Sequence, residues 1–311
     1  YAHASGFDPL ARTLNWIDRQ GRVEMIPAPP HAYAQPRLSH DGTRVVASNV
    51  RDPENNLLVL DLTRGIVTRV TTDAALDVTP TWTPDDSWII FSSNRGGGGQ
   101  SLWRQASNGT GNPERLTQAA FVQGAPVVTP DGRHVLFTEQ TEDGGADTMQ
   151  LTLATKQVTP VLHDRFREMY AEVSPDGRWL AYTSNRSGPV EVYVKPYPIT
   201  DGAPWQVSTA GGDHPAWARD GGELFLFYMT PDNALMSVSV QTASPTWRAG
   251  QPVRVLEPEQ LPRSSTTRNY DPAPDGRRFL VLGRPIPAPD PPGLVVVQHW
   301  DEELKQRVPT K

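Results

Sequence analysis

The chain has 311 residues, 29 Lys and Arg against 35 Asp and Glu, a net charge of −6 and no Cys. That balance leaves no basic footprint for nucleic acid and no polybasic membrane patch, and the lack of Cys excludes disulfides, thiolate catalysis and cysteine metal sites. A hydrophobic fraction of 37%, with nine Trp and 31 Pro, fits a packed, turn-rich chain rather than a disordered one.

In chain order, Tyr1 to Gly6 shows neither a charged-then-apolar signal region nor an initiator Met, so the sequence reads as a processed protein or an excised domain. No stretch reaches the roughly 20 apolar residues of a transmembrane helix. Leu14-Asn15-Trp16-Ile17-Asp18 and Val23-Glu24-Met25-Ile26 flank a polar stretch with Gly21, which predicts a hairpin, half of a small sheet.

Six turn centres follow at Asp41, Asp85, Asp131, Asp176, Asp220 and Asp275, with spacings of 44, 46, 45, 44 and 55 residues. Pro84, Pro130, Pro175 and Pro274 precede four of them and set φ at the first turn position, while a following Gly accepts φ > 0. His40 and Arg219 stand where the proline would be, and Asp86 where the glycine would be. After each turn comes a short apolar run: Val45-Val46-Ala47, Ile89-Ile90-Phe91, Val135-Leu136-Phe137, Leu180-Ala181-Tyr182, Leu224-Phe225-Leu226 and Phe279-Leu280-Val281. Such runs predict strands buried on both faces. Leu38, Trp82, Val128, Val173, Trp217 and Pro272 form a second repeated column, expected in the core between repeats.

This period predicts an all-β, six-bladed β-propeller of four-stranded antiparallel blades, one domain over residues 1–311. The N- and C-terminal strands are expected to complete one blade together, Leu294 to Val297 contributing, which removes a free sheet edge. An insert from Pro252 to Thr267 accounts for the longest spacing, and Pro285 to Pro292 reads as an extended surface loop.

Pro80 to Arg95 and Ala171 to Arg186 each run through Ser/Thr-Pro-Asp and an apolar strand to Ser-Asn-Arg. This pattern resembles the TolB-type, WD40-like (PD40) propeller repeat. Leu14 to Gly21 and Leu294 to Trp300 are similar to propeller domains that follow the kinase domain in bacterial serine/threonine protein kinases. The resemblance implies a periplasmic or otherwise extracytoplasmic sensing or interaction domain, with any phosphotransfer residing elsewhere.

The G-x-S-x-G, H-E-x-x-H, P-loop and G-x-G-x-x-G signatures do not occur. Attention moves instead to the channel mouth, where residues at the start of each innermost strand are expected to converge: Tyr33, Asp77, Gln123, Glu168, Asp213, His214, Arg268 and Asn269, together with Gln35, Thr79 and Tyr170. Such a funnel suits a small polar ligand or a partner's side chain. No cofactor is expected, although the oxygen ligands leave a channel-bound Ca2+ open. The Ser-Asn-Arg tails at Arg95 and Arg186 suggest inter-blade ion pairs, and Trp205, Trp247 and Trp300 suggest rim anchors for a partner.

The leading expectation is a non-enzymatic protein-interaction or ligand-sensing platform, alone or as a subunit of a larger assembly. Its partners would be a protein or a small polar ligand, with no nucleic acid and no membrane-spanning segment. The alternative is a metal-dependent hydrolase or lactonase, with Glu168, Asp77, Asp213 and Asn269 as cation ligands and His214 as base.

Overall fold

Each repeat turn closes as its residues dictate. The backbone N–H of Gly42, Asp86, Gly132, Gly177 and Gly276 donates to the carbonyl three residues earlier, on Ser39, Thr83, Thr129, Ser174 and Ala273. The hydroxyls of Ser39, Thr83, Thr129 and Ser174 donate to the turn Asp two residues on, at 2.5–2.6 Å. In the computed structural model, which describes residues 10–51, 55–198, 202–218, 224–241, 246–261, 267–273 and 276–284, these five turns each link the two innermost strands of a blade. Asp220, Pro274 and Asp275 lie outside the described residues, as do Leu294–Val297, Trp300 and the proline-rich loop.

The strands form six four-stranded antiparallel sheets arranged as a six-bladed propeller. The innermost strands are Tyr33–Leu38, Asp77–Trp82, Gln123–Val128, Glu168–Val173, Asp213–Trp217 and Tyr270–Pro272, in blades one to six. The sixth blade is composite. Its inner strands come from Tyr270–Pro272 and Arg278–Gly283 and its outer strands from Thr13–Asp18 and Val23–Met25. Trp16 pairs opposite Leu280 and Asn15 opposite Val281, so the two ends of the chain close the ring through backbone hydrogen bonds. The insert after Pro252 is partly sheet: Val253–Leu256 is the outer strand of blade five, followed by a short 3-10 turn at Pro258–Gln260.

The apolar triplets explain why the blades stand face to face. Ile89 and Phe91 pack with Val46, Leu57 and Val59 of blade one, while Ile90 points the other way, to Val135 and Phe137 of blade three. The same alternation holds for Val45 and Ala47 against Val46, and for Phe279 and Val281 against Leu280. Successive strand residues project to opposite faces, so three apolar residues in a row serve two inter-blade cores. Of the expected rim tryptophans, Trp247 belongs to the core between blades four and five, against Trp179 and Trp217, and Trp205 packs edge-on to Trp179.

The departures from the repeat compensate each other across a blade junction. Because residue 40 is His and not Pro, its backbone N–H exists, and it donates to Asp86 Oδ1 at 2.8 Å; the Asp41 N–H donates to Asp86 Oδ2 at 3.0 Å. Asp86 itself takes the left-handed conformation of the missing glycine, φ 55°. Blade one's turn is thereby capped by blade two's. Among the described residues no helix is long and apolar enough to cross a membrane.

Candidate functional site

The innermost strands carry an irregularity that the repeat imposes five times. Their pairing with the second strand slips between Ala34 and Arg37, Val78 and Thr81, Gly124 and Val127, Met169 and Glu172, and Asp213 and Ala216. Within each slip one non-glycine residue has φ near 50°: Gln35, Thr79, Ala125, Tyr170 and His214. Left-handed backbone at such residues costs on the order of 1–3 kcal/mol each and persists only where neighbours enforce it. At three of the five, neighbouring blades do so through the backbone N–H. The Gln35 N–H donates to Asn269 Oδ1 at 3.2 Å, the Thr79 N–H to Gln35 Oε1 at 2.7 Å, and the Tyr170 N–H to Thr138 Oγ1 at 3.2 Å.

These five residues line the axial channel on the side where each innermost strand begins, the loop face. The cavity there is small, about 40 Å3. Tyr170 and His214 stack across it with ring centroids 4.1 Å apart. His214 is only 4% exposed, and Asp213 lies beside its Nδ1 at 3.4 Å. Burial, followed by the Asp213 charge, pushes the Tyr170 hydroxyl up to about 12.

One step deeper the channel narrows to a charged waist. The Arg268 guanidinium contacts Glu172 at 2.5 Å and Asp271 at 3.0 Å, and donates to the Pro215 carbonyl at 3.0 Å. Arg37 completes the waist from blade one. Its Nη1 donates to the Pro36 carbonyl at 2.7 Å and the Arg268 carbonyl at 3.1 Å. The backbone of these residues is fixed from outside: Trp82 Nε1 donates to the Arg37 carbonyl at 3.0 Å, Trp217 Nε1 to the Glu172 carbonyl at 2.9 Å, and the Leu38 N–H to Asp271 Oδ2 at 2.8 Å. Beyond the waist, on the face of the Asp turns, a second chamber of about 310 Å3 opens between Trp82, Trp217, Pro84, Pro130 and Pro175, with His40 at its rim.

The sequence-predicted residues divide accordingly. His214 and Arg268 line the channel, as do Gln35, Thr79 and Tyr170. Asn269 braces Gln35, and Asp213 accepts from the His214 N–H at 2.8 Å and from Thr183 Oγ1 at 3.1 Å. Tyr33, Asp77, Gln123 and Glu168 are each 3% exposed or less and sit beside the axis rather than on it. Tyr33 donates its hydroxyl to the Pro29 carbonyl, and Gln123 donates to Glu139 at 2.7 Å and accepts from Thr117. Asp77 is held by Arg95 at 2.6 Å. Among the described residues no three His, Asp or Glu gather in a group that could hold a metal ion.

The Ser-Asn-Arg tails act within a blade, not between blades. Arg95 also reaches Asp73 in the loop leading into its own blade, and lies over Phe91 and Trp103 of that blade. Arg186 repeats this with Asp164, Phe166 and Tyr193. The Asn before each Arg accepts from the N–H just ahead of the innermost strand, Leu76 in one blade and Arg167 in the other, both at 2.9 Å. Aromatic faces of the same blade capture the guanidinium before a neighbour can.

Glu168 differs from its repeat equivalent Asp77. Among the described residues it has no ion pair within 4 Å, and its buried Oε2 has no hydrogen-bond partner. Burial pushes its carboxyl up to about 7, against the pull of Arg186. Asp213 does not share this position: counting three residues back from Pro80, Ala171 and Pro215 gives Asp77, Glu168 and Gly212.

Comparison with known proteins agrees with this architecture. Residues 19–143 match the TolB beta propeller domain family, PD40. An uncharacterized protein of Agrobacterium fabrum is 31% identical over 105 residues, 34% of this chain and 35% of its own length. The chain spans about a third of the length of the curated relatives it matches. A TolB-like protein of Agrobacterium tumefaciens superposes with a TM-score of 0.67 at 16% identity, over 89% of this chain and 99% of that one. An oligogalacturonate lyase solved in complex with manganese superposes with a TM-score of 0.54 at 16% identity, over 78% of this chain and 73% of that one. At such identities the likeness is one of fold. With the repeat, the ring and these neighbours in agreement, the chain is a six-bladed β-propeller whose residues 19–143 match the TolB beta propeller domain family.

Proposed function

We propose that this propeller is a non-catalytic binding platform that takes a small polar ligand, or the inserted side chain of a protein partner, into its axial channel. The observation that carries the reading is the ring of left-handed residues at the loop face, where Gln35, Thr79 and Tyr170, through their N–H groups, and His214, through its carbonyl, are held in a costly backbone conformation by neighbouring blades. That effort presents side chains to the channel. Engagement of Asp77 by Arg95 and of Gln123 by Glu139 supports the same reading, because it removes them from a cation-ligand set. A closed ring of six sheets is a rigid frame for such a surface, and the whole propeller acts as one domain, outside the cytoplasm, alone or within a larger assembly.

The test is site-specific photo-crosslinking from benzoylphenylalanine placed at Tyr170, with the exposed outer-strand residue Ile66 as control. One discrete adduct is expected from position 170, competed by unlabelled protein and absent from position 66. Equal adducts at both positions, or none at 170, would contradict binding through the channel.

A further inference from the structure

The waist holds two cations and two carboxylates, and both ion pairs are made by one cation. Arg268 alone satisfies both Glu172 and Asp271. Arg37 is half-buried, spends one nitrogen on two carbonyls and pairs with no carboxylate within 4 Å among the described residues. Its other N–H groups, Arg268 Nε and Thr79 Oγ1 are donors that no described acceptor takes up; the last two are buried. Arg37, Thr79 and Arg268 line the loop-face cavity, and Arg37 and Arg268 also line the larger chamber. Buried donors without acceptors are costly, and guanidinium with planar donors fits a carboxylate. Burial and the Arg268 charge pull Arg37 down to about 9, so a bound anion would be favoured there.

The geometry points to an organic carboxylate as the ligand, its carboxylate seated on Arg37 at the waist and its apolar body in the turn-face chamber between Trp82, Trp217 and the prolines of three turns. That chamber, about 310 Å3, is of small-ligand size, and its proline walls suit a compact apolar group. Glu172 lines the same space, but Arg268 holds it at 2.5 Å and offsets its repulsion. This assignment rests on the channel-binding reading and adds to it a chemical class for the chamber on the opposite, turn face, reached from the shared waist.

The probes are benzoate, its uncharged isostere benzamide, and acetate, each followed by thermal unfolding and calorimetry of the whole chain. Benzoate at tenfold excess over its dissociation constant should raise the unfolding midpoint by about 2 °C. Benzamide should leave it unchanged, and acetate should bind at least tenfold more weakly than benzoate. Arg37→Gln should abolish the benzoate shift and Arg37→Lys reduce it several-fold, so one variant remains should the other fail to fold. Equal effects of benzoate and benzamide, no benzoate effect, acetate as tight as benzoate, or a full shift in Arg37→Gln would each overturn the assignment. A channel adduct from position 170 with no benzoate response would sink the carboxylate site alone; loss of both would sink the platform reading as well.

Discussion

Replacing Arg268 with Met lowers the unfolding midpoint by about 5–8 °C. Arg268 is 8% exposed and contacts both Asp271, 1% exposed, and Glu172. Removing one member of a buried ionic group leaves the others desolvated and without their ion-pair partner, with Arg37 acting on them only from beyond contact distance; this costs about 3–5 kcal/mol, and a chain of this length converts that to the stated shift. Arg268→Lys recovers only part of the loss, because an ammonium cannot span Glu172, Asp271 and the Pro215 carbonyl as the guanidinium fork does. Adding Glu172→Gln to Arg268→Met restores a substantial share, since one of the two stranded charges is then gone. Calorimetric scans of the three variants check this; a midpoint for Arg268→Met within 1 °C of the parent would show that the waist is not an ionic keystone.

Glu168→Gln stabilises the fold at pH 8 by about 2 kcal/mol, after allowance for screening through the channel, and leaves it unchanged near pH 4. The folded-state value is raised to about 7, above the ordinary glutamate value of 4.5. Between those values the native state holds more protons than the unfolded chain, so parent stability falls as pH rises from about 4.5 to about 7 and stays low above it. Gln carries no charge to desolvate and removes this slope. Arg186 and Lys195 work against the shift, Asp164 and Asp147 with it, and burial dominates. Denaturant titrations from pH 4 to 8 check the sign: a variant that loses stability at pH 8 relative to the parent would mean that Glu168 is a satisfied carboxylate.

The ring was legible because its signals are repeated and local. Turn residues at Asp41, Asp85, Asp131 and Asp176, and triplets such as Ile89-Ile90-Phe91, each fix a strand pair or a blade face without reference to the rest of the chain. The composite sixth blade could be read from Leu14–Ile17 because a half sheet at one end requires its complement at the other. Site geometry was less legible. The slip in each innermost strand turns Gln35, Thr79 and Tyr170 to the axis and leaves Asp77, Gln123 and Glu168 beside it, and nothing in a strand's alternation announces a bulge. Arg37, Glu172 and Asp271 occupy one repeat column with Thr81, Val127 and Ala216. Charges in a column otherwise small or apolar were the available signal, and their meeting at the waist depends on blades one, four and six closing on one axis. The pairing of His40 with Asp86 was visible only as two separate departures; their spacing of 46 residues, one blade period, was the sign that they face each other.

The most direct measurement is hydrolysis of a panel of esters and lactones by the parent and by Glu168→Ala, in Ca2+ or Mn2+ and after chelation. A binding platform gives rates at the buffer background for both proteins under every condition. Metal-dependent turnover by the parent that disappears in Glu168→Ala would contradict the account and establish the channel as a hydrolytic centre.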